Sequence, residues 1–167
     1  MEGAVILALD TATKTGFALG DATGVVASGV WILDAGCYKT RWLNLWQRLN
    51  DLAEKHAVGA VVHEAPIVMP GRESGVRVAH GLIAIVEFWC EFRGFSCTQV
   101  YGATIRKHAL GSGRAGYGVN KGVRVKGEGK RMMVEAAKAK WPSIRIADDN
   151  HADALYLLDY SLTASCR

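Results

Sequence analysis

The chain opens on an apolar run with β-branched members, Val5-Ile6-Leu7-Ala8-Leu9, that ends in Asp10 and the polar stretch Thr11-Ala12-Thr13-Lys14-Thr15-Gly16. A run without polar alternation predicts a strand covered on both faces, and so one near the middle of a sheet. Residues 16–20 and 25–32 flank Asp21-Ala22-Thr23-Gly24, whose Asp and Gly suit a tight hairpin, so three successive antiparallel strands are expected. From Thr40, read as an N-cap, to residue 56, Trp42, Leu45, Trp46, Leu49, Leu52 and Ala53 keep the one-face spacing of an amphipathic helix. Residues 59–63 form a short apolar strand that ends in Glu64, and Pro66 enforces an extended exit. A second helix is expected over 73–93, with Val76, Ile83, Val86 and Cys90 apolar and Gly94 as its stop. A fifth strand over 95–101 and a short basic helix over 103–110 follow. Residues 111–129 hold seven glycines and read as a long loop, mobile without ligand. A helix over 130–140, broken at Trp141-Pro142, and a last helix capped by Asp148-Asp149-Asn150 complete the chain.

Three antiparallel strands, helix, strand, helix, strand and then helices is the order of the ribonuclease H-like α/β fold: a five-stranded mixed sheet with helices on both faces. In that topology the first strand is central and the fourth lies parallel beside it. Parallel neighbours bring their C-terminal ends to one edge, which places Asp10 beside Glu64. A final helix crossing that edge adds carboxylates from its first turn, among Asp148, Asp149 and Asp153. Each acid alone has a plain structural reading, as a solvated strand end or a helix cap. Their joint arrival at one edge is the functional signal, because like charges gathered together are costly unless something compensates them.

Composition narrows the class. Half of the 167 residues are hydrophobic and 22% are charged, the profile of a globular protein rather than a disordered one, and a single domain over 1–167 is expected. No apolar run approaches the roughly 20 residues that cross a bilayer, and no signal-like leader is visible, so a cytoplasmic protein without a membrane partner is expected. Cys37, Cys90, Cys97 and Cys166 show neither CxxC nor zinc-ligand spacing and read as free thiols. The net charge of +4 is unevenly spread: eight cations, Arg106, Lys107, Arg114, Lys121, Arg124, Lys126, Lys130 and Arg131, face one acid, Glu128. A basic stretch beside an acidic cluster points to a polyanion held against metal ions, and these eight residues are its candidate contacts. Oxygen-only ligands favour Mg²⁺ or Mn²⁺, and a pair of ions needs carboxylates from separate elements. His63 and His151 flank the acids and read as packing residues.

On Leu7-Ala8-Leu9-Asp10 with Gly16, Val61-Val62-His63-Glu64, Ile105-Arg106-Lys107-His108-Ala109-Leu110-Gly111-Ser112-Gly113 and Asp148-Asp149-Asn150-His151-Ala152-Asp153-Ala154-Leu155, the chain resembles the RuvC family of Holliday junction resolvases, especially its short phage-type members. The resemblance covers nearly the whole length. It implies a homodimer that binds four-way DNA junctions and makes paired nicks with two Mg²⁺ or Mn²⁺ ions per site, leaving 5′-phosphate and 3′-hydroxyl ends. It makes Asp10, Glu64 and Asp153 metal ligands. Many members place a fourth ligand three residues before the last aspartate, which is Asn150 here; Asp149 is the expected substitute, with Asp148 behind it. Lys130 matches a catalytic lysine that neutralises phosphate charge, a role open also to Arg106 or Lys107. Ile67-Val68-Met69 falls where the family places a residue that probes the junction centre, although inward packing is the alternative. The second helix, with Val76, Ile83 and Val86, is a candidate dimer interface. Two other readings stand beside this one. An actin-like phosphotransferase shares the Asp, Thr, Lys, Gly pattern but needs two such domains, and a non-catalytic nucleic-acid-binding relative would have little reason to keep the acids.

Overall fold

The computed structural model describes residues 5–33, 36–66, 73–112 and 127–164. Its elements run β1 (Val5–Asp10), β2 (Lys14–Asp21), β3 (Gly24–Ile32), α1 (Tyr38–Lys55), β4 (Val58–Glu64), α2 (Glu73–Arg93), β5 (Ser96–Val100), α3 (Gly102–Leu110), α4 (Glu128–Lys140) and α5 (Asp149–Ala164). The strands form one sheet in the order β3-β2-β1-β4-β5. β1, β2 and β3 pair antiparallel, and β1 with β4 and β4 with β5 pair parallel. The expected ribonuclease H-like architecture is therefore present, with β1 at the centre.

Strand parity divides the core in two. Leu7, Leu9, Leu19 and Val61 face α1 and α2, where they meet Leu45, Leu49, Leu52, Leu82, Val86 and Trp89. Ala8, Ala18 and Val62 face the other side and pack on Ala152, Ala154, Leu155 and Leu158 of α5. The small residues on this second face let α5 lie close to the sheet. The same parity sets the site: Asp10 follows Ala8 by two residues and Glu64 follows Val62 by two, so both carboxylates project toward α5.

The hairpin forms as expected, with the Asp21 side chain accepting the Thr23 amide at 2.8 Å and Asp21 paired with Gly24. Two helix starts and one surface differ from expectation. Thr40 does not cap α1; Cys37 in extended backbone stands before the helix, and the Thr40 amide already donates to its carbonyl at 3.1 Å. α4 begins at Glu128, one turn before the apolar spacing starts, after Gly127 at φ 82°. There Glu128 ion-pairs with Arg131 at 2.7 Å, a contact between positions three apart that helix geometry provides. Ile83 and Val86, expected at a dimer interface, lie in the core; among the described residues the exposed large apolar side chains of α2 are Phe88 and Phe92.

Candidate active site

β1 and β4 run side by side in register, Ala8 opposite Val62 and Leu9 opposite His63. Asp10 and Glu64 therefore end adjacent parallel strands at one edge. The third carboxylate comes from α5, whose position is fixed by a glycine. Gly16 pairs with Asp10 across the β1–β2 ladder, and any Cβ at that position would overlap the Asn150 carbonyl at the head of α5. Without a side chain there, the helix comes down onto the sheet rim and carries Asp153 inward. Ligand oxygens of Asp10, Glu64 and Asp153 lie within 4.8 Å of one another, and among the described residues this is the one His/Cys/Asp/Glu cluster of metal-binding dimensions.

The three candidates for the fourth position separate by helical phase. Asp148 is the cap of α5: its carboxylate accepts the His151 amide at 3.1 Å and ion-pairs with Lys14 at 3.1 Å. Asn150 turns the other way, its amide donating to the Lys14 carbonyl at 2.6 Å. Asp149, four residues before Asp153, is on the face turned to the site. Its carboxylate accepts a hydrogen bond from Lys130, and its charge reaches Asp10 and Asp153.

The electrostatics are those of uncompensated charge. Burial, followed by the charges of Glu64, Asp153 and Asp149, pushes the Asp10 carboxyl well above the ordinary carboxylate range, against a smaller opposing pull from Lys130. Asp153 is pushed up to about 7, by burial first and then by Glu64 and Asp149. Glu64 is also raised by burial, opposed by the nearby Arg106 guanidinium and by a hydrogen bond from Asp10. Lys130 is held above its ordinary value by its bond to Asp149. Two cations thus flank the acids, Lys130 on the Asp149 side and Arg106 on the Glu64 side, and neither neutralises the cluster.

Gly102, the first residue of α3, was not singled out in the sequence, and its role is visible only in three dimensions. A Cβ there would overlap the Glu64 carboxylate, so the glycine leaves the space in which that side chain points at the site. Lys14, which holds the Asp148 cap, was missed for the same reason. His63 has the opposite parity to Glu64 and is buried on the α2 face, its Nδ1 donating to the Glu64 carbonyl at 3.2 Å. Burial would lower its pKa, but hydrogen bonds with Cys97 and the Glu64 carbonyl raise it.

Of the expected DNA contacts, Arg106 stands beside the acids and Lys107 is exposed on the same helix. Arg131 is engaged with Glu128 and Glu135 of its own helix. Arg114, Lys121, Arg124 and Lys126, with residues 113–126 of the expected mobile loop, lie outside the described residues, as does Ile67-Val68-Met69.

No family model matches the sequence, and no curated protein does either. Solved structures do. Thermus thermophilus RuvC in complex with a Holliday junction substrate superposes with a TM-score of 0.71 at 12% identity, over 98% of this chain and 96% of that one. The chain has the RuvC fold. A second Thermus thermophilus RuvC structure gives 0.70 at 15% identity over 97% and 96%. The yeast mitochondrial Holliday junction resolvase Ydc2 gives 0.56 at 12% identity, over 92% of this chain and 75% of that one. At these identities the shared property is the RuvC architecture. No helix among the described residues is long and apolar enough to cross a membrane.

Proposed function

We propose that the chain is a structure-selective DNA endonuclease of the RuvC type, cutting four-way junctions and related branched DNA by metal-dependent hydrolysis in paired nicks. The observation that carries this reading is the convergence of Asp10, Glu64 and Asp153 within 4.8 Å at the rim of a RuvC-like sheet. Similarity to a RuvC solved with a Holliday junction supplies the substrate class.

The donor set fits hard divalent cations. All the donors are carboxylate oxygens, they come from three elements, and burial first and their mutual repulsion second raise the pKa values of Asp10 and Asp153. Asp10, Glu64 and Asp153, with Asp149 beside them, would hold Mg²⁺ or Mn²⁺, two ions in the reading adopted here. Such ions supply an activated water and charge stabilisation at the phosphodiester. The chain's own residues do the rest. Burial holds the carboxylates in place, Gly102 and Gly16 keep the rim clear of side chains, and Lys130 and Arg106 bring positive charge to where phosphate oxygens gain negative charge. The products would carry 5′-phosphate and 3′-hydroxyl ends.

Paired nicking requires two sites, hence a homodimer. Phe88 and Phe92 of α2, 61% and 67% exposed, stand around Trp46 of α1 at ring separations of 5.9 and 5.8 Å, with Leu43 exposed on the same helix as Trp46. This apolar patch is the surface on which a second copy would pack. The catalytic reading is tested by incubating purified protein and Mg²⁺ with synthetic four-way, three-way, flap and linear DNA. Junction cleavage is expected, with Asp10→Asn and Glu64→Gln binding the junction without cutting it. Equal cleavage by either variant, or cleavage of linear duplex alone, would refute it.

A further inference from the structure

A groove of about 490 Å³ that the catalytic residues do not line runs along β4 and β5 on their α5 side, from Ala60 and Ser96 to Val100 and Tyr101. It exists because β5 is an edge strand that the helices cover poorly: only Val100 of its five residues is buried. Val62 and Val100 belong to its floor, and Thr98, Tyr101, Thr104 and Tyr160 are among the residues that wall it. One end adjoins the active site. Val100 pairs with Glu64, Tyr101 follows, and Gly102 is the glycine against which the Glu64 carboxylate lies.

Tyr101 is the unusual feature. Its backbone is fixed, since its carbonyl accepts the amides of Thr104 at 2.8 Å and Ile105 at 3.3 Å as the first turn of α3 closes. Yet the residue is 71% exposed, and among the described residues its ring stacks on no other aromatic ring. Among the described residues no charged side chain lines the groove, whereas Arg106 and Lys107 occupy the following turn of α3. The separation is chemical: phosphates belong with the cations, and the groove suits a neutral, flat group with hydrogen-bonding edges.

We propose that this groove takes one unpaired nucleobase from the strand being cut, with Tyr101 stacked on its face and the hydroxyls of Thr98, Thr104 and Tyr160 available to its edge. Duplex DNA holds its bases paired and stacked, whereas a branch point can release one at low cost. The groove therefore selects branched DNA and fixes which phosphodiester reaches the acids. This inference rests on the nuclease reading and assigns its specificity element.

The test is a thermodynamic cycle between protein and DNA. Four-way junctions are made with a single abasic nucleotide at successive positions flanking the scissile phosphate, and kcat/KM is measured for wild type, Tyr101→Phe and Tyr101→Ala. Loss of one base–aromatic stack corresponds to roughly a 5- to 100-fold loss. Wild type should show that loss at one abasic position. Tyr101→Ala should show it on the intact junction with no further loss at that position, while Tyr101→Phe behaves as wild type. Thermal melting checks that Tyr101→Ala remains folded, as the exposure of the ring predicts. Efficient junction cleavage with independent, multiplying effects at every position, or with no effect of Tyr101→Ala, overturns this inference alone. Absence of junction cleavage by the wild type overturns the nuclease reading and the inference with it.

Discussion

Asp10→Asn should abolish cleavage and at the same time make the metal-free protein more stable. At about 1.4 kcal/mol per pKa unit, raising Asp153 from its ordinary 3.8 to about 7 corresponds to about 4 kcal/mol of cost for its charged form. Asp10 is shifted in the same direction for the same first cause, burial, and its charge is felt by its neighbours. The asparagine removes one buried charge and can still donate the hydrogen bond that Glu64 accepts from Asp10. Allowing for solvent relaxation at the rim, the gain at pH 8 in chelator is on the order of 2 kcal/mol, or roughly 4–8 °C in Tm for a protein of this size. The sign follows from proton linkage. A raised carboxylate pKa means that the folded chain keeps protons the unfolded chain has lost. The favourable state is therefore complete below about pH 4, and stability falls as pH rises through about 7. The advantage of Asp10→Asn should accordingly be small at pH 5 and large at pH 8. Circular-dichroism melts at both pH values, in EDTA and in Mg²⁺, read out both effects: wild type should gain stability from the metal at pH 8, and the variant should not. A variant less stable than wild type at pH 8 in EDTA, or one with an undiminished response to Mg²⁺, would refute the charge-cluster reasoning.

Two further outcomes are expected. In sedimentation experiments the protein should run as a dimer and the double variant Phe88→Ser, Phe92→Ser as a folded monomer; an unchanged mass distribution would remove that patch from the interface. Cys97, exposed and pushed down to about 5 by its hydrogen bond with Cys90 and by His63, should be alkylated by iodoacetamide already at pH 6.5, ahead of buried Cys90, whose thiol is pushed up by the same bond. Peptide mapping that finds Cys90 modified first, or Cys97 reacting only above pH 8, would show that the pair is not arranged in this way.

The acidic centre was legible in the sequence because it depends on parity. Asp10 and Glu64 end two apolar strands, and once those strands pair in parallel the two-residue period decides the face each side chain takes. Features that depend on close approach were not legible. Gly16 stands in the motif after Asp10 and Gly102 before a basic helix, but what each glycine is for shows only when the Asn150 carbonyl and the Glu64 carboxylate are found in the space their Cβ atoms would fill. Likewise nothing in the spacing of His63, Cys90 and Cys97 shows that α2 and β5 bring the three together. Helix starts were misjudged where apolar spacing was taken as the boundary. α1 and α4 both begin earlier, at Tyr38 after Cys37 and at Glu128 after Gly127, because the first turn of a helix can be solvated and needs no buried face.

Helical phase explains why the choice of Asp149 over its neighbours Asp148 and Asn150 could not be derived from spacing alone. Successive residues of a helix differ by about 100° in direction, so a one-residue error in the start of α5 exchanges a cap, a site residue and a strand contact. The structure fixes the phase through two ties to one residue, Lys14: its ammonium holds Asp148 and its carbonyl holds Asn150. With both neighbours committed to β2, Asp149 is left facing Lys130 and the cluster. The lysine that opens β2 thus decides which acid of α5 reaches the rim. If substituting Lys14 with methionine left the metal-induced stabilisation and the cleavage rate untouched, the tie through the Asn150 amide alone would suffice to set that phase.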